Sequence, residues 1–135
     1  MSSTLFNTKH KPSILVVDDS LPFVSRIINL LVTEVRNIGH INIASGYAEA
    51  TRLFKEEKPD IVLLDISMPG KSGVELLKEI KQGDNDSQVI MLTNHGDDFY
   101  RNYCYELGVD YFLDKSTDFT KVPVIINSAR SKPGE

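Results

Sequence analysis

Ile14-Leu15-Val16-Val17-Asp18-Asp19 is the stretch on which the reading of this chain turns. Four consecutive apolar residues, three of them β-branched, show no polar alternation, so a strand here is expected to be buried on both faces. The run stops abruptly in two acids. Ser20 and Pro22 follow as cap and first-turn residues of a helix. Val24, Ile27, Ile28, Leu31 and Val35 then recur on one helical face, and Gly39 is expected to end the segment.

The same unit repeats outward from that stretch. Ile41 to Ala44 predicts a second strand, and a helix from about Tyr47 to Glu56 turns Ala50, Leu53 and Phe54 toward the sheet. Ile61 to Leu64 is again continuously apolar and again ends in an acid, Asp65. A loop from Met68 to Gly73 leads to a helix over Val74 to Lys81. Val89 to Leu92 predicts a fourth strand ending at Thr93, and a helix from Asp98 to Leu107 stops at Gly108. Tyr111 to Leu113 predicts a fifth strand near Lys115. Ser116 or Thr117 is expected to cap a last helix carrying Phe119, Val122, Ile125 and Ile126, with Pro123 in its early turns. Strand and helix thus alternate five times, the pattern of an α/β fold: a doubly wound (βα)5 domain whose five-stranded parallel sheet has helices on both faces. In such sheets ligands bind beyond the carboxyl ends of the strands. Asp18, Asp19, Asp65, Thr93 and Lys115 all fall there.

Bulk composition agrees with one globular domain. The chain has 135 residues, 41% of them hydrophobic and 25% charged, with a net charge of −4. That balance gives no hint of a nucleic-acid partner, which would favour a basic face. Cys104 is the single cysteine, so no intrachain disulfide forms, and burial is its expected role. No apolar run reaches the roughly 18 residues of a membrane span. Cytoplasmic residence is the default expectation. Residues 1–12 read as a flexible arm, 13–130 as the domain and 131–135 as a flexible tail.

Three acids brought to neighbouring strand ends repel one another unless a cation intervenes. Hard carboxylate oxygens suit Mg2+, whose remaining positions water and phosphate fill. Zinc is not indicated, because one cysteine and the scattered His10, His40 and His95 make no soft ligand set. Asp65, apart from the acid pair, is of the type that attacks phosphorus. Lys115 can pair with that carboxylate and then with the phosphoryl group, and the Thr93 hydroxyl can donate to a phosphoryl oxygen.

These residues together resemble the receiver domain of bacterial two-component response regulators. The resemblance runs over about residues 13 to 130. It rests on Ile14 to Asp19, on Asp65 followed by Met68-Pro69-Gly70 and Gly73, on Thr93 after a buried strand, and on Gly108 leading to Phe112 and Lys115. It implies a flavodoxin-like sheet of strand order 2-1-3-4-5 and Asp65 as phosphoacceptor. It further implies Mg2+ held by Asp18, Asp19, Asp65 and the backbone carbonyl of Ser67, with Thr93 and Phe112 as switch residues. Such a domain catalyses its own phosphorylation and often its own dephosphorylation, without being a conventional enzyme. The implied partners are a sensor histidine kinase or histidine phosphotransfer protein and a downstream protein target. Phosphorylation-dependent homodimerisation is a further expectation.

Ser67, Asn94 and His95 occupy positions that tune turnover in relatives, and Asn94 stands where the family usually has a very small residue. Ser116 follows Lys115 where many relatives carry a cis proline. A cis bond before serine costs several kcal/mol, so a trans bond or a reshaped turn is expected. No effector domain is expected after the fifth unit, so output is expected through a protein partner. Phe99, Tyr100, Tyr103, Tyr105 and Tyr111 mark the expected partner face. Two other readings remain: a receiver-like adaptor that binds without phosphorylation, and an aspartate-nucleophile phosphatase. The second fits poorly, for want of a spaced second acid and a cap domain.

Overall fold

The strands are short because each needs only a few residues to cross the core, and their side chains alternate between two apolar layers. The structure, a computed structural model, describes residues 11–94 and 98–129. Its elements are β1 (Ile14–Val17), α1 (Leu21–Glu34), β2 (Ile41–Ala44), α2 (Tyr47–Glu57), β3 (Ile61–Leu64), α3 (Gly73–Gln82), β4 (Gln88–Thr93), α4 (Asp98–Glu106), β5 (Tyr111–Asp114), a 3-10 turn (Phe119–Lys121) and α5 (Val122–Ala129). All strand pairs are parallel, in the order β2-β1-β3-β4-β5. This is the expected doubly wound sheet.

Leu15, Val17, Val62, Leu64, Val89, Met91 and Phe112 point to one face, where they pack with Ala50, Leu77, Ile80 and Cys104 from α2, α3 and α4. Ile14, Val16, Ile61, Leu63, Ile90, Leu92 and Leu113 point to the other, against Val24, Ile27, Leu31 and Ile126 of α1 and α5. Burial on both sides explains the unbroken apolar runs of β1 and β3. The edge strand β2 is less buried and carries the polar Asn42.

Ser20 caps α1, its hydroxyl accepting from the Phe23 amide at 3.4 Å. The helix stops before the predicted glycine. Glu34 is its last residue, and the Val35 amide closes onto Leu31 O. Gly39 serves another purpose: a Cβ there would lie 2.8 Å from the carbonyl oxygens of Lys11 and Pro12. Its amide donates to Pro12 O at 2.8 Å, and Pro12 is buried. The last helix also departs from expectation. Ser116 and Thr117 do not cap it. They lie in a turn, and Asp118 starts a 3-10 segment that passes into α5 at Val122. Pro123 takes the second position of α5, where its missing N–H is harmless. No helix among the described residues is long and apolar enough to cross a membrane. The expected arm and tail fall almost wholly outside the described residues.

Candidate functional site

Parallel pairing carries β1 and β3 to the same edge of the sheet. The Asp18 amide donates to Ala44 O, and the Asp65 amide donates to Val17 O at 3.1 Å, so the two acids leave neighbouring strands side by side. Asp18 and Asp65 are buried, whereas Asp19 is exposed. Each of the three offers a carboxylate oxygen within 4.8 Å of the others. Opposite corners of a magnesium octahedron are about 4.2 Å apart, so this donor set suits that ion with small adjustment or one intervening water.

Lys115 arrives from the end of β5. Its Nζ lies 2.8 Å from Asp18 Oδ2 and 3.3 Å from Asp65 Oδ2. The backbone there is pinned, since the Lys115 amide donates to Thr93 O at 3.0 Å. The second oxygens are also engaged. Asp18 Oδ1 accepts from the Ser20 amide at 2.8 Å, and Asp65 Oδ1 accepts from the Ser67 amide at 3.4 Å. Burial holds the Asp18 carboxyl above the usual carboxylate range, against the pull of the Lys115 and Ser20 hydrogen bonds. Burial would also lower Lys115, but its hydrogen bond to Asp18 and the charges of Asp65 and Asp18 prevail and raise it. The ammonium therefore stays charged in a mostly enclosed position. Among the described residues no buried side-chain nitrogen or oxygen lacks a hydrogen-bond partner.

Thr93 is fully buried at the end of β4, and Phe112 is packed into the core. Two residues of α4 hold the Phe112 backbone. Tyr105 Oη accepts from its amide at 3.2 Å, and Arg101 donates to its carbonyl at 3.3 Å, with the guanidinium 5.0 Å from the ring centroid. Asn94 and Ser116, two departures noted in the sequence, meet: the Ser116 hydroxyl donates to Asn94 Oδ1 at 3.0 Å. The Lys115–Ser116 bond is trans, as expected. The turn is organised by Asp114, whose Oδ1 accepts from the amides of Ser116 and Thr117. His95 lies outside the described residues.

Sequence reasoning gave no physical role to three contributors. Gly73 must be glycine because a Cβ would overlap the carbonyl oxygen of Asp65, while its amide donates to Ile66 O. Asp114 shapes the lysine loop. Phe23 lies under the Lys115 ammonium. Only Gly73 had a signal, its place in the motif after Asp65.

Of the aromatic residues expected to face a partner, Phe99, Tyr103, Tyr105 and Tyr111 are exposed, Phe99 most of all at 71%. Tyr100 is half-buried and packs against the core. A cleft of about 670 Å³ between α2 and α3, lined by Phe54, Lys58, Asp60 and Ile80 among others, opens at the opposite end of the sheet from Asp18, Asp19 and Asp65.

Comparison with known proteins gives a consistent result. The model of the "Response regulator receiver domain" family matches residues 14–130. The chain is 32% identical over 102 residues to the chemotaxis protein CheY of Halobacterium salinarum, covering 76% of this chain and 82% of that one. It is 36% identical over 104 residues to the transcriptional regulatory protein YdfI of Bacillus subtilis, covering 77% of this chain and spanning only 48% of that protein. Among solved structures, the CheX-CheY-BeF3-Mg2+ complex from Borrelia burgdorferi superposes with a TM-score of 0.82 at 29% identity, covering 94% of this chain and 95% of that one.

Proposed function

The chain belongs to the response regulator receiver domain family, and from that premise we propose that it accepts a phosphoryl group on Asp65 and signals by a phosphorylation-dependent change in protein binding. One observation carries this reading: Lys115, from the fifth strand, bridges Asp18 and Asp65 beside the three-carboxylate cluster. Lys115 comes from a strand that is adjacent to neither acid's strand, and placing two buried acids together costs stability unless a cation is served.

Mg2+ is the cofactor, held by Asp18, Asp19, Asp65 and the Ser67 carbonyl. When bound it offsets charge on the phosphoryl oxygens. Asp65 is the nucleophile: an oxygen of its carboxylate forms the new bond to phosphorus as the donor's bond breaks. Lys115 pairs with the phosphoryl group, and Thr93 donates its hydroxyl to a phosphoryl oxygen. Phe112 follows Thr93 in the switch, and Ser67, Asn94 and His95 set how long the phosphoryl group lasts. A sensor histidine kinase or histidine phosphotransfer protein in the cytoplasm is the donor. Phe99, Tyr103 and Tyr111, with Tyr100 beneath them, form the face toward a downstream protein or a second copy of the chain.

The test is incubation with Mg2+ and acetyl phosphate, followed by intact-mass measurement. One added phosphoryl group is expected on the wild type and none on Asp65→Asn. A wild type that stays unmodified while a known receiver is labelled overturns the reading. The adaptor alternative draws on Phe112, whose ring is already packed inward. It requires equal partner affinity with and without the phosphoryl group.

A further inference from the structure

An ammonium group has three N–H donors, and Lys115 directs two of its contacts to carboxylates. Its third neighbour is aromatic: Nζ lies 4.6 Å from the centroid of the Phe23 ring. Phe23 stands in the first turn of α1, three residues beyond the Ser20 cap that Asp18 itself organises, and it is buried. Its ring is fixed in turn. Phe119 meets it edge to face at 6.4 Å and 70°, and the Arg26 guanidinium covers Phe119 at 4.5 Å.

The face of a phenyl ring attracts a cation without accepting a directed hydrogen bond. A polar neighbour in that place would bind the ammonium in one direction, and an aliphatic one would leave it drawn only toward whichever carboxylate is nearer. The ring holds the charge at the site and still lets it turn among its oxygen partners. We propose that Phe23 is a positioning residue for Lys115, its ring face keeping the ammonium beside Asp65. This rests on the phosphoacceptor reading for its consequence, though not for the contact itself.

Two measurements test it. The first compares phosphoryl uptake from acetyl phosphate at saturating Mg2+ for wild type, Phe23→Leu and Phe23→Tyr. Leucine keeps the apolar bulk without the π face, whereas tyrosine keeps the face. The expected result is about a five- to thirtyfold slower rate for leucine, the range of a cation–π contact of one to two kcal/mol, and a rate near wild type for tyrosine. The second follows the ε-methylene NMR resonance of Lys115, assigned by its loss in Lys115→Met. It should lie upfield of the other lysines in the metal-free wild type and move downfield in Phe23→Leu. Leucine as fast as wild type, tyrosine as slow as leucine, or a Lys115 resonance at the ordinary lysine position each overturns the proposal. Should the wild type take no phosphoryl group, the phosphoacceptor reading fails, and the Lys115 resonance alone then decides the contact. Its wild-type position also decides the matter if Phe23→Leu does not fold.

Discussion

Buried charge is costly, and the site keeps it only where partners are supplied. Lys115 remains an ammonium because two carboxylates and a ring surround it. Cys104 shows the opposite outcome on the other face of the sheet. It is fully buried, and burial pushes its thiol up to about 11 from an ordinary 9.0. The folded state therefore holds this proton where the unfolded chain releases it. The associated stability is complete below pH 9.0 and is lost as pH rises toward about 11. Cys104→Ala has no such dependence. The difference in unfolding free energy between wild type and this variant, from urea titrations, should narrow across that window; a constant difference contradicts the buried thiol. At neutral pH a thiol reagent should label the native protein slowly and the urea-unfolded protein fast. The burial of Cys104 was legible from its residue type and its place in an amphipathic helix. The Phe23 contact was not, because an aromatic residue near a helix start reads the same whether it meets a core side chain or an ammonium.

At the level of elements, the connections after β3 and β5 do the positioning. The loop from Asp65 to α3 turns so sharply that a Cβ at Gly73 would overlap the Asp65 carbonyl oxygen. Gly73→Ala should destabilise by about 1–3 kcal/mol, the usual cost of overpacking, and should also slow phosphoryl uptake, because relief requires Asp65 to move. Denaturant titration and the acetyl phosphate assay check the two effects separately. Wild-type stability in the alanine variant would show that the loop yields freely. After β5, Asp114 accepts two backbone amides and so stands in for regular structure. Asp114→Ala should cost about 1–2 kcal/mol, as expected when local hydrogen bonds are lost, measured in the same titration. The strand cores and the types of all five helices could be read from period and breaker residues. The end of α1 and the start of α5 could not. In both places a loop contact, Gly39 against Pro12 or Asp114 with the following amides, outweighs the local capping signal.

On the scale of the whole molecule, ion binding and folding are linked, because the carboxylates converge only in the folded chain. Mg2+ at about 100 times its dissociation constant should stabilise the fold by about 2.7 kcal/mol, raising the thermal midpoint. Asp19→Asn should lose most of that rise without loss of the metal-free fold, since Asp19 is exposed. A midpoint that ignores Mg2+ in the wild type speaks against the metal site. Alternating apolar runs and helical stripes were enough to determine a five-unit parallel α/β sheet, and the residues that end each strand were enough to nominate the phosphate chemistry, because both follow from local periodicity. Distances between groups dozens of residues apart do not. Parallel pairing and the packing of α1 alone decided that Lys115 spans Asp18 and Asp65, that Phe23 lies beneath it, and that Asn94 and Ser116 touch, since each depends on where separate loops meet in space.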